Sequence, residues 1–397
     1  MKKYSLIILS FLLFVIVSCK EDEKGPLIKE GDIPAAVTNV KVENLPGGAK
    51  ITYNLPNDPN LLYVIASYTN DNGVIVQNKA SVFKTFVMLE GFTQEKEYIV
   101  NLQTVNRSEN YSTEMRVKVN PLEPPIHEVF RSLKVNETSG GAHVSLKNEL
   151  EKEYVIYSLL RDSTTGNWFE QDRLYTSSPE REFSVRGPNN TSLDSVPTDF
   201  AFYLTDRWRT VSDTLFVNIT PIYEELVDKS LWKDANLEDD FNNPLYGPLS
   251  ELWTPGPLTY FFQSEKGLDG ITVPNWVTID LGAKYKLGRF KINGISHGTV
   301  WIYQSSAVRF FEVFGSNIPT TDWAEWTSLG EFEYTKPSGL PVGQLSEDDL
   351  AYNAEGPDFI LKQVGEGFRY FRFVNIQTWG QVTNFSALEF TLWGIPN

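Results

Sequence analysis

The segment Val40-Lys-Val-Glu-Asn-Leu-Pro-Gly-Gly-Ala-Lys-Ile51 returns later in the chain as Leu133-Lys-Val-Asn-Glu-Thr-Ser-Gly-Gly-Ala-His-Val144, with Gly47-Gly48 and Gly140-Gly141 at the same offset. Tyr63-Val-Ile65 returns as Tyr154-Val-Ile156, and Pro121 as Pro221. Such a repeat means two copies of one fold laid end to end. Each copy alternates apolar and polar residues over short runs, as in Lys50-Ile-Thr-Tyr-Asn-Leu55 and Tyr98-Ile-Val-Asn-Leu102, with Gly, Asn or Pro between the runs. Period-two alternation places the apolar side chains on one face of a strand, and paired glycines suit a hairpin whose turn needs positive φ. The expected unit is a small all-β sandwich.

Breaks at Pro121-Leu-Glu-Pro-Pro125 and near Thr220-Pro221 set the expected boundaries, 34–121 for the first sandwich and 125–221 for the second. Both fit the immunoglobulin or fibronectin type III size class. Cys19 is the only cysteine, so no intramolecular disulfide is available, burial must hold the fold, and the fibronectin-like version is favoured. Residues 222–397 have a different texture. Trp276–Leu281, Arg289–Asn293, Arg309–Phe314, Phe368–Phe373 and Leu388–Trp393 read as strands separated by long aromatic-bearing loops, which predicts a larger β-sandwich of jelly-roll type.

The N-terminus carries Lys2 and Lys3, an apolar stretch Tyr4–Val17 and the small residue Ser18. That stretch is shorter than the ~20 residues a membrane-spanning helix needs, so 1–18 reads as a secretory signal. Val15-Ile-Val-Ser-Cys19 resembles the lipobox of bacterial lipoproteins, which makes Cys19 the lipidation site. The following Lys20-Glu-Asp-Glu23 resembles the surface-export signal of Bacteroidetes lipoproteins, implying an outer-membrane anchor with the protein facing the exterior; the alternative is a plain solvated linker. Residues 19–33 then form a flexible stalk containing Gly25, Pro26 and Gly31. Acyl chains anchor a protein whose remainder is wholly water-soluble. The formal charge of −16 excludes nucleic acid as a natural partner and favours neutral or weakly charged ligands.

Trp276-Val-Thr-Ile-Asp-Leu-Gly282, Tyr285-Lys-Leu-Gly-Arg-Phe290, Phe311-Glu-Val-Phe-Gly-Ser316, Arg369-Tyr-Phe-Arg-Phe373 and Ala387-Leu-Glu-Phe-Thr-Leu-Trp-Gly394 follow one another in the order of the discoidin family, also called F5/8 type C. The last part of the chain resembles that galactose-binding-like fold. The whole resembles Bacteroidetes surface lipoproteins of polysaccharide utilisation, and Asp206-Arg-Trp208 fits them too. The resemblance implies glycan binding at loops on one end of the C-terminal sandwich. It also implies a structural Ca²⁺ as the one cofactor to consider, with Glu389 and Asp269 at the matching positions.

Catalytic signals are thin. Gly294-Ile-Ser-His-Gly298 satisfies the G-x-S-x-G pattern, but no histidine follows His297 and nothing helical follows Gly298, so a nucleophile elbow is not expected. Three scattered histidines offer no zinc spacing. A glycosidase would need two carboxylates ~5 to 9 Å apart, and nothing resembles such a catalytic domain. Binding fits better, because sugar rings stack their C–H faces on Trp and Tyr while their hydroxyls pair with polar side chains. Two loops have that composition, 296–305 and 378–386. Trp301, Tyr303 and Trp379 are expected to supply stacking surface, and His297, Gln304, Gln381 and Asn384 hydrogen bonds. Trp276, Phe290, Phe311, Phe371 and Trp393 are expected in the core. The reading is a non-catalytic carbohydrate-binding surface protein with the two repeats as spacers. Its rivals are a scaffold or adhesion module contacting a protein such as an outer-membrane transporter component, and a hydrolase with an unrecognised carboxylate pair.

Overall fold

A computed structural model describes residues 32–241, 243–254, 260–265, 274–296, 298–362, 364–365 and 367–397. The signal segment, Cys19, nearly all of the stalk, Asp269 and His297 lie outside the described residues. The stalk's last residues are within them: the Asp32 carbonyl accepts a hydrogen bond from Asn106 Nδ2 at 2.7 Å, tying the stalk to the first sandwich.

The alternation of the first repeat becomes seven strands: β1 (Thr38–Leu45), β2 (Gly48–Asn54), β3 (Leu61–Thr69), β4 (Ile75–Ser81), β5 (Phe86–Glu90), β6 (Tyr98–Asn106) and β7 (Met115–Val119). They pair as two antiparallel sheets, β1-β2-β5 and β4-β3-β6-β7. Ile51, Tyr53, Val64, Ala66, Leu89, Val100 and Leu102 point inward and make the core. The second repeat builds the same pair of sheets from β8 (Lys134–Thr138), β9 (Gly141–Lys147), β10 (Tyr154–Arg161), β11 (Trp168–Thr176), β12 (Glu180–Val185), β13 (Thr198–Asp206) and β14 (Leu215–Ile219), ordered β12-β9-β8 and β11-β10-β13-β14. Residues expected to open the second sandwich form the helix Pro125–Arg131 instead, with proline at its start, burying Ile126 and Val129 in the second core.

The paired glycines do more than turn a hairpin. Gly47 has φ +58°, and its N–H donates to the Leu122 carbonyl at 3.0 Å; Gly140 has φ +67°, and its N–H donates to the Ile222 carbonyl at 2.9 Å. Each turn therefore receives the segment that leaves its own sandwich. A Cβ on Gly47 would stand 3.0 Å from Pro125 Cδ, and one on Gly140 2.5 Å from Glu224 Oε1.

The C-terminal part has a third, separate core. Its strands are β15 (Glu225–Leu226), β16 (Lys233–Asp234), β17 (Phe262–Gln263), β18 (Asn275–Asn293), β19 (Val308–Ser316), β20 (Thr327–Glu333), β21 (Asp358–Ile360), β22 (Phe368–Thr378), β23 (Ser386–Ala387) and β24 (Glu389–Pro396). The expected strands Trp276–Leu281 and Arg289–Asn293 are two halves of the single β18. Its first half pairs with β22 and its second with β24, across a register shift between Asp280 and Tyr285 at Gly282, φ +79°. Phe290, Phe311, Phe371, Phe373 and Phe390 pack between the layers, ring centroids 4.9 to 6.1 Å apart.

Trp276 and Trp393, expected in that core, lie on outer faces instead, each against a buried arginine. Trp393 stacks under the Arg289 guanidinium at 3.5 Å, and Trp276, Trp323 and Trp326 surround Arg372 at 5.8, 4.7 and 4.2 Å. A guanidinium is weakly hydrated and planar, so indole rings can cover it at modest cost when carboxylates complete its shell. Asp239 and Asp240 lie beside Arg372 at 3.3 and 3.8 Å and Thr278 Oγ1 accepts from its Nε at 2.9 Å, while its Nη1 has no hydrogen-bond partner in the protein.

Both junctions are polar. Trp208 packs on the edge of the first core, where a Cβ on Gly91 would meet it at 2.6 Å. Lys152 and Arg207 of the second sandwich pair with Glu90 of the first at 2.9 and 3.2 Å. Asp206 ties its own loop by accepting from the Trp208 and Thr210 N–H groups at 2.8 Å, while the Trp208 ring reaches across to the neighbouring sandwich. Between the second sandwich and the C-terminal sheet, Arg289 donates to Glu224 Oε1 at 2.5 and 3.0 Å, both side chains being 1% exposed. Ser192 adds a third donor to that oxygen at 2.7 Å. Asp358 accepts from Asn190 at 2.5 Å and from Arg186 at 3.1 Å. Burial, and then the facing Arg289, pull Arg186 down to about 10, which leaves it charged at neutral pH.

Removing one partner of a buried ion pair strands the other charge, at about 3 to 5 kcal/mol. Glu224→Ala should lose about that much in urea denaturation, whereas Glu97→Ala, breaking the exposed pair with Lys118, should lose less than about 1 kcal/mol. Equal losses would refute this account of the junction.

Asp240 gives a pH test. Burial pushes its carboxyl up to about 6, against the Thr278 hydrogen bond at 2.7 Å. The folded state therefore holds this proton more tightly than the unfolded chain, and as pH rises from about 4 to about 6 this group withdraws stability. The melting temperature of Asp240→Asn relative to the parent should rise between pH 4 and pH 7. A flat or falling difference would contradict it.

Candidate functional site

The two loops singled out in the sequence do meet at one end of the C-terminal sandwich. After β18 the chain makes one 3-10 turn, Thr299–Trp301, then reverses through Tyr303 (φ +51°) and Ser305 (φ +52°). Gln304 Nε2 donates to the Thr299 carbonyl at 2.7 Å and closes the reversal. The loop after β22 is laced to it, Trp379 N–H donating to the Ala307 carbonyl and Gly380 N–H to the Ser305 carbonyl, each at 2.8 Å. Gly380 is required there, since a Cβ would stand 2.5 Å from the Ser305 backbone.

The individual side chains divide sharply. Tyr303 is 1% exposed, contrary to its expected role as stacking surface. Its left-handed backbone turns the ring inward between Tyr334, 5.8 Å away, and Trp379, 5.5 Å away, and burial drives its phenol well above the usual range. Asn384, expected to hydrogen-bond ligand, is also buried. Trp379 is half-buried: its Nε1 donates to the Tyr334 carbonyl at 3.2 Å, and Arg309 lies over its ring at 4.4 Å. Gln304 is half-buried with its amide engaged within the loop, whereas Gln381 is exposed. Trp301 is half-buried against Phe261, with neighbouring Val300 exposed. The cavity flanked by Trp301, Tyr303 and Trp379 holds about 10 Å³, room for one water. Any ligand must lie across this end of the sandwich.

Glu389 is engaged elsewhere. Lys229 Nζ donates to it at 2.5 Å and to Thr391 Oγ1 at 2.8 Å, so an ammonium already compensates the carboxylate expected to bind calcium. Among the described residues no group of three or more His, Cys, Asp or Glu side chains could hold a metal ion. Among them, too, no helix is long and apolar enough to cross a membrane.

Sequence reasoning missed the aromatic row beside Trp301. From Trp301 it runs to Phe261 at 5.8 Å, on to Tyr246 at 4.7 Å and to Tyr260 at 6.3 Å. Tyr246 is 42% and Tyr260 48% exposed. Tyr246 is positioned by its bridge to Gln263 on β17, whose amide donates to Ser306 at 3.1 Å. Phe262 and Trp253, from the same Pro- and Gly-rich stretch, are core residues. The signal was the aromatic run Tyr260-Phe-Phe262; its tie to Tyr246 is not local in sequence. Phe261 is buried and supports the row from beneath, so the exposed rings are Tyr246 and Tyr260, 6.3 Å apart, beside the half-buried Trp301; exposed rings of this kind can stack flat C–H surfaces.

Three family models match consecutive parts of the chain, DUF4959 over 34–121, DUF5126 over 122–230 and DUF5000 over 254–394, and each is described as a domain of unknown function. No curated protein matches. Among solved structures the chain is similar to a SusE-like protein, at 25% identity over 69% of this chain and 100% of that one, TM-score 0.42. It is also similar to a CBM32 module from a family 31 glycoside hydrolase of Clostridium perfringens, at 16% identity over 43% and 94%, TM-score 0.30. A third is the C-terminal domain of a chitobiase from Bacteroides fragilis, at 17% identity over 44% and 99%, TM-score 0.32.

Tyr303→Ala should cost about 3 to 5 kcal/mol in urea denaturation, as expected for a large aromatic removed from a core. Tyr303→Phe should cost almost nothing, because the buried hydroxyl has no hydrogen-bond partner in the protein. A mild Tyr303→Ala would return this ring to the surface.

Proposed function

We propose that this chain is a non-catalytic glycan-binding protein, lipid-anchored through Cys19 at the outer surface of the outer membrane, whose C-terminal domain from residue 222 captures neutral polysaccharide. The observation that carries the proposal is the aromatic row at the loop end of that domain, in which Tyr246 and Tyr260 are exposed and Trp301 is half-buried. A polymer lying along it would gain ring stacking, with Gln381 and the Arg309–Trp379 pair as polar neighbours on the adjoining loop. The cavity at this end, about 10 Å³, is too small for a sugar ring, which suits an extended chain lying across the surface better than a small metabolite. The acidic surface argues for a neutral ligand, since a polyanion would be repelled.

A facing pair of carboxyls on the C-terminal sheet lacks glycosidase geometry. Glu312 and Glu331 face each other across β19 and β20, where burial and then the hydrogen bond from its neighbour raise the Glu312 pKa. Carboxyl groups in hydrogen-bonding contact leave no room for the glycosidic bond that a catalytic pair must flank at about 5 to 9 Å.

Titration with neutral polysaccharides tests the proposal. Trp301→Ala and Tyr246→Ala should each weaken binding several-fold with melting unchanged, and Trp379→Ala should weaken it less. Undiminished affinity in the Trp301→Ala, Trp379→Ala and Tyr246→Ala variants would remove this site, and product release from labelled polymer would overturn the non-catalytic reading.

A further inference from the structure

The second sandwich carries an aromatic face that neither its core nor its neighbours use. Along β10, Tyr154, Ile156 and Leu160 point inward, so Val155, Tyr157, Leu159 and Arg161 point out of the β11-β10-β13-β14 sheet. Register brings Tyr203 of β13 opposite Tyr157, and their rings stack at 4.6 Å within 4° of parallel. Arg173 of β11 caps that stack from the other side, 5.0 Å from the Tyr157 ring. One row along, Trp168 of β11 reaches over the two central strands to meet Phe216 of β14 at 5.5 Å. These rings stay open: Trp168 is 37% and Phe216 63% exposed, and Tyr175 on the same strand as Trp168 is 69% exposed.

The polar groups between the rings are matched within the face. Arg173 makes a two-pronged pair with Glu170 at 2.6 and 2.9 Å, and Asp199 accepts from Arg161 at 3.3 Å and Asn218 at 2.6 Å. The face is therefore locally neutral on a strongly acidic chain, while its guanidinium, amide and carboxylate edges retain hydrogen-bonding capacity. The cavity of about 560 Å³ near Arg161 does not belong to this face: Asp162, Asp194 and Asp199 line it against the single Arg161, and its apolar wall includes Phe169 and the inward-pointing Leu160.

We infer that this sheet face is a second glycan-binding site, taking an uncharged oligosaccharide laid across Trp168, Phe216 and the Tyr157–Tyr203 pair. Charge complementarity selects the occupant: paired ions repel neither a neutral polyol nor its hydroxyls, and they offer no net charge to attract an ionic partner. Stacking surface interleaved with hydrogen-bonding edges matches the alternation of C–H faces and hydroxyls along a sugar chain. The second sandwich thus binds ligand as well as spacing the C-terminal domain from the membrane. The site stands on its own residues and does not require the one on the C-terminal domain.

Affinity electrophoresis of the full chain in gels cast with amylopectin, pullulan, galactomannan, xyloglucan or arabinoxylan tests it, alongside hydroxyl-radical footprinting with the retarding polymer. The expected result is retardation by at least one polymer, protection of Trp168 and Phe216, and about a tenfold loss of affinity in the Trp168→Ala/Phe216→Ala double variant with melting unchanged. Trp168→Tyr, which keeps a ring, should retain most of the binding. Retardation unaffected by the double variant but abolished by Trp301→Ala would overturn this site and leave the C-terminal one standing. Loss in the double variant with Trp301→Ala unaffected would do the reverse. Retardation by none of the polymers, or stable capture of a second copy of the chain through this face, would overturn it.

Discussion

The buried pair between Arg289 and Glu224 governs how the C-terminal domain can sit on the rest of the chain. Arg289 lies on the outer face of β18, stacked on Trp393 and shut off from water; Asp358 of its own sandwich stands 3.4 Å away, and its shortest pairing is with a carboxylate from outside that sandwich. Glu224, between the last strand of the second sandwich and the first short strand of the C-terminal sheet, supplies it. Arg186 and Asp358 complete the set, two cations against two anions, with Ser192 donating to Glu224 and Asn190 to Asp358, while Arg186 Nη2 and Glu224 Oε2 have no hydrogen-bond partner in the protein. Buried ions of this kind contribute little net stability compared with a well-packed apolar contact. Their effect is orientational: a shifted interface would leave a desolvated charge unmatched, so one arrangement is selected sharply.

The same device recurs around Arg372, where three tryptophans and two aspartates replace the partner domain. Both arginines sit at outward positions of strands whose inward neighbours are the phenylalanines of the core. This is how a chain without disulfides gains organised contacts on the outer faces of its sheets: cation–π stacking covers each guanidinium and carboxylates neutralise it.

The repeat made the two N-terminal sandwiches legible, because period-two patterning in Lys50–Leu55 and Tyr98–Leu102 maps directly onto strand faces. The C-terminal strands were legible for the same reason, with β18 divided because Gly282 reads as a turn when it is a bend. Trp276 and Trp393 were misplaced because an outward tryptophan over a buried arginine has the same local pattern as an inward one. The capping box from Ser346 to Asp349 announces the helix Glu347–Glu355, a signal that an all-β expectation passes over. Of the stacking residues expected at the sandwich end, Trp301 remains at the surface in part and Tyr303 does not, because its positive φ was set by the loop closure at Gln304. Tyr246 and Tyr260 could not be joined to Trp301 from the sequence, since only the pairing with β17 brings them together.

Stacking on a single exposed ring contributes of the order of 1 kcal/mol, too little to hold a polymer against diffusion. Two sites on one chain change that arithmetic: once the first is occupied, the second meets its ligand at a local concentration set by the connection between them. A flexible linker would dilute that advantage over many orientations, and a mismatched geometry would abolish it. The Glu224, Arg289, Arg186 and Asp358 cluster lies between the aromatic face of the second sandwich and the aromatic row of the C-terminal one, and it fixes their relative orientation. On this reading the costly burial of four charges at the junction is the structural condition for weak neutral contacts to act together, because it selects one orientation.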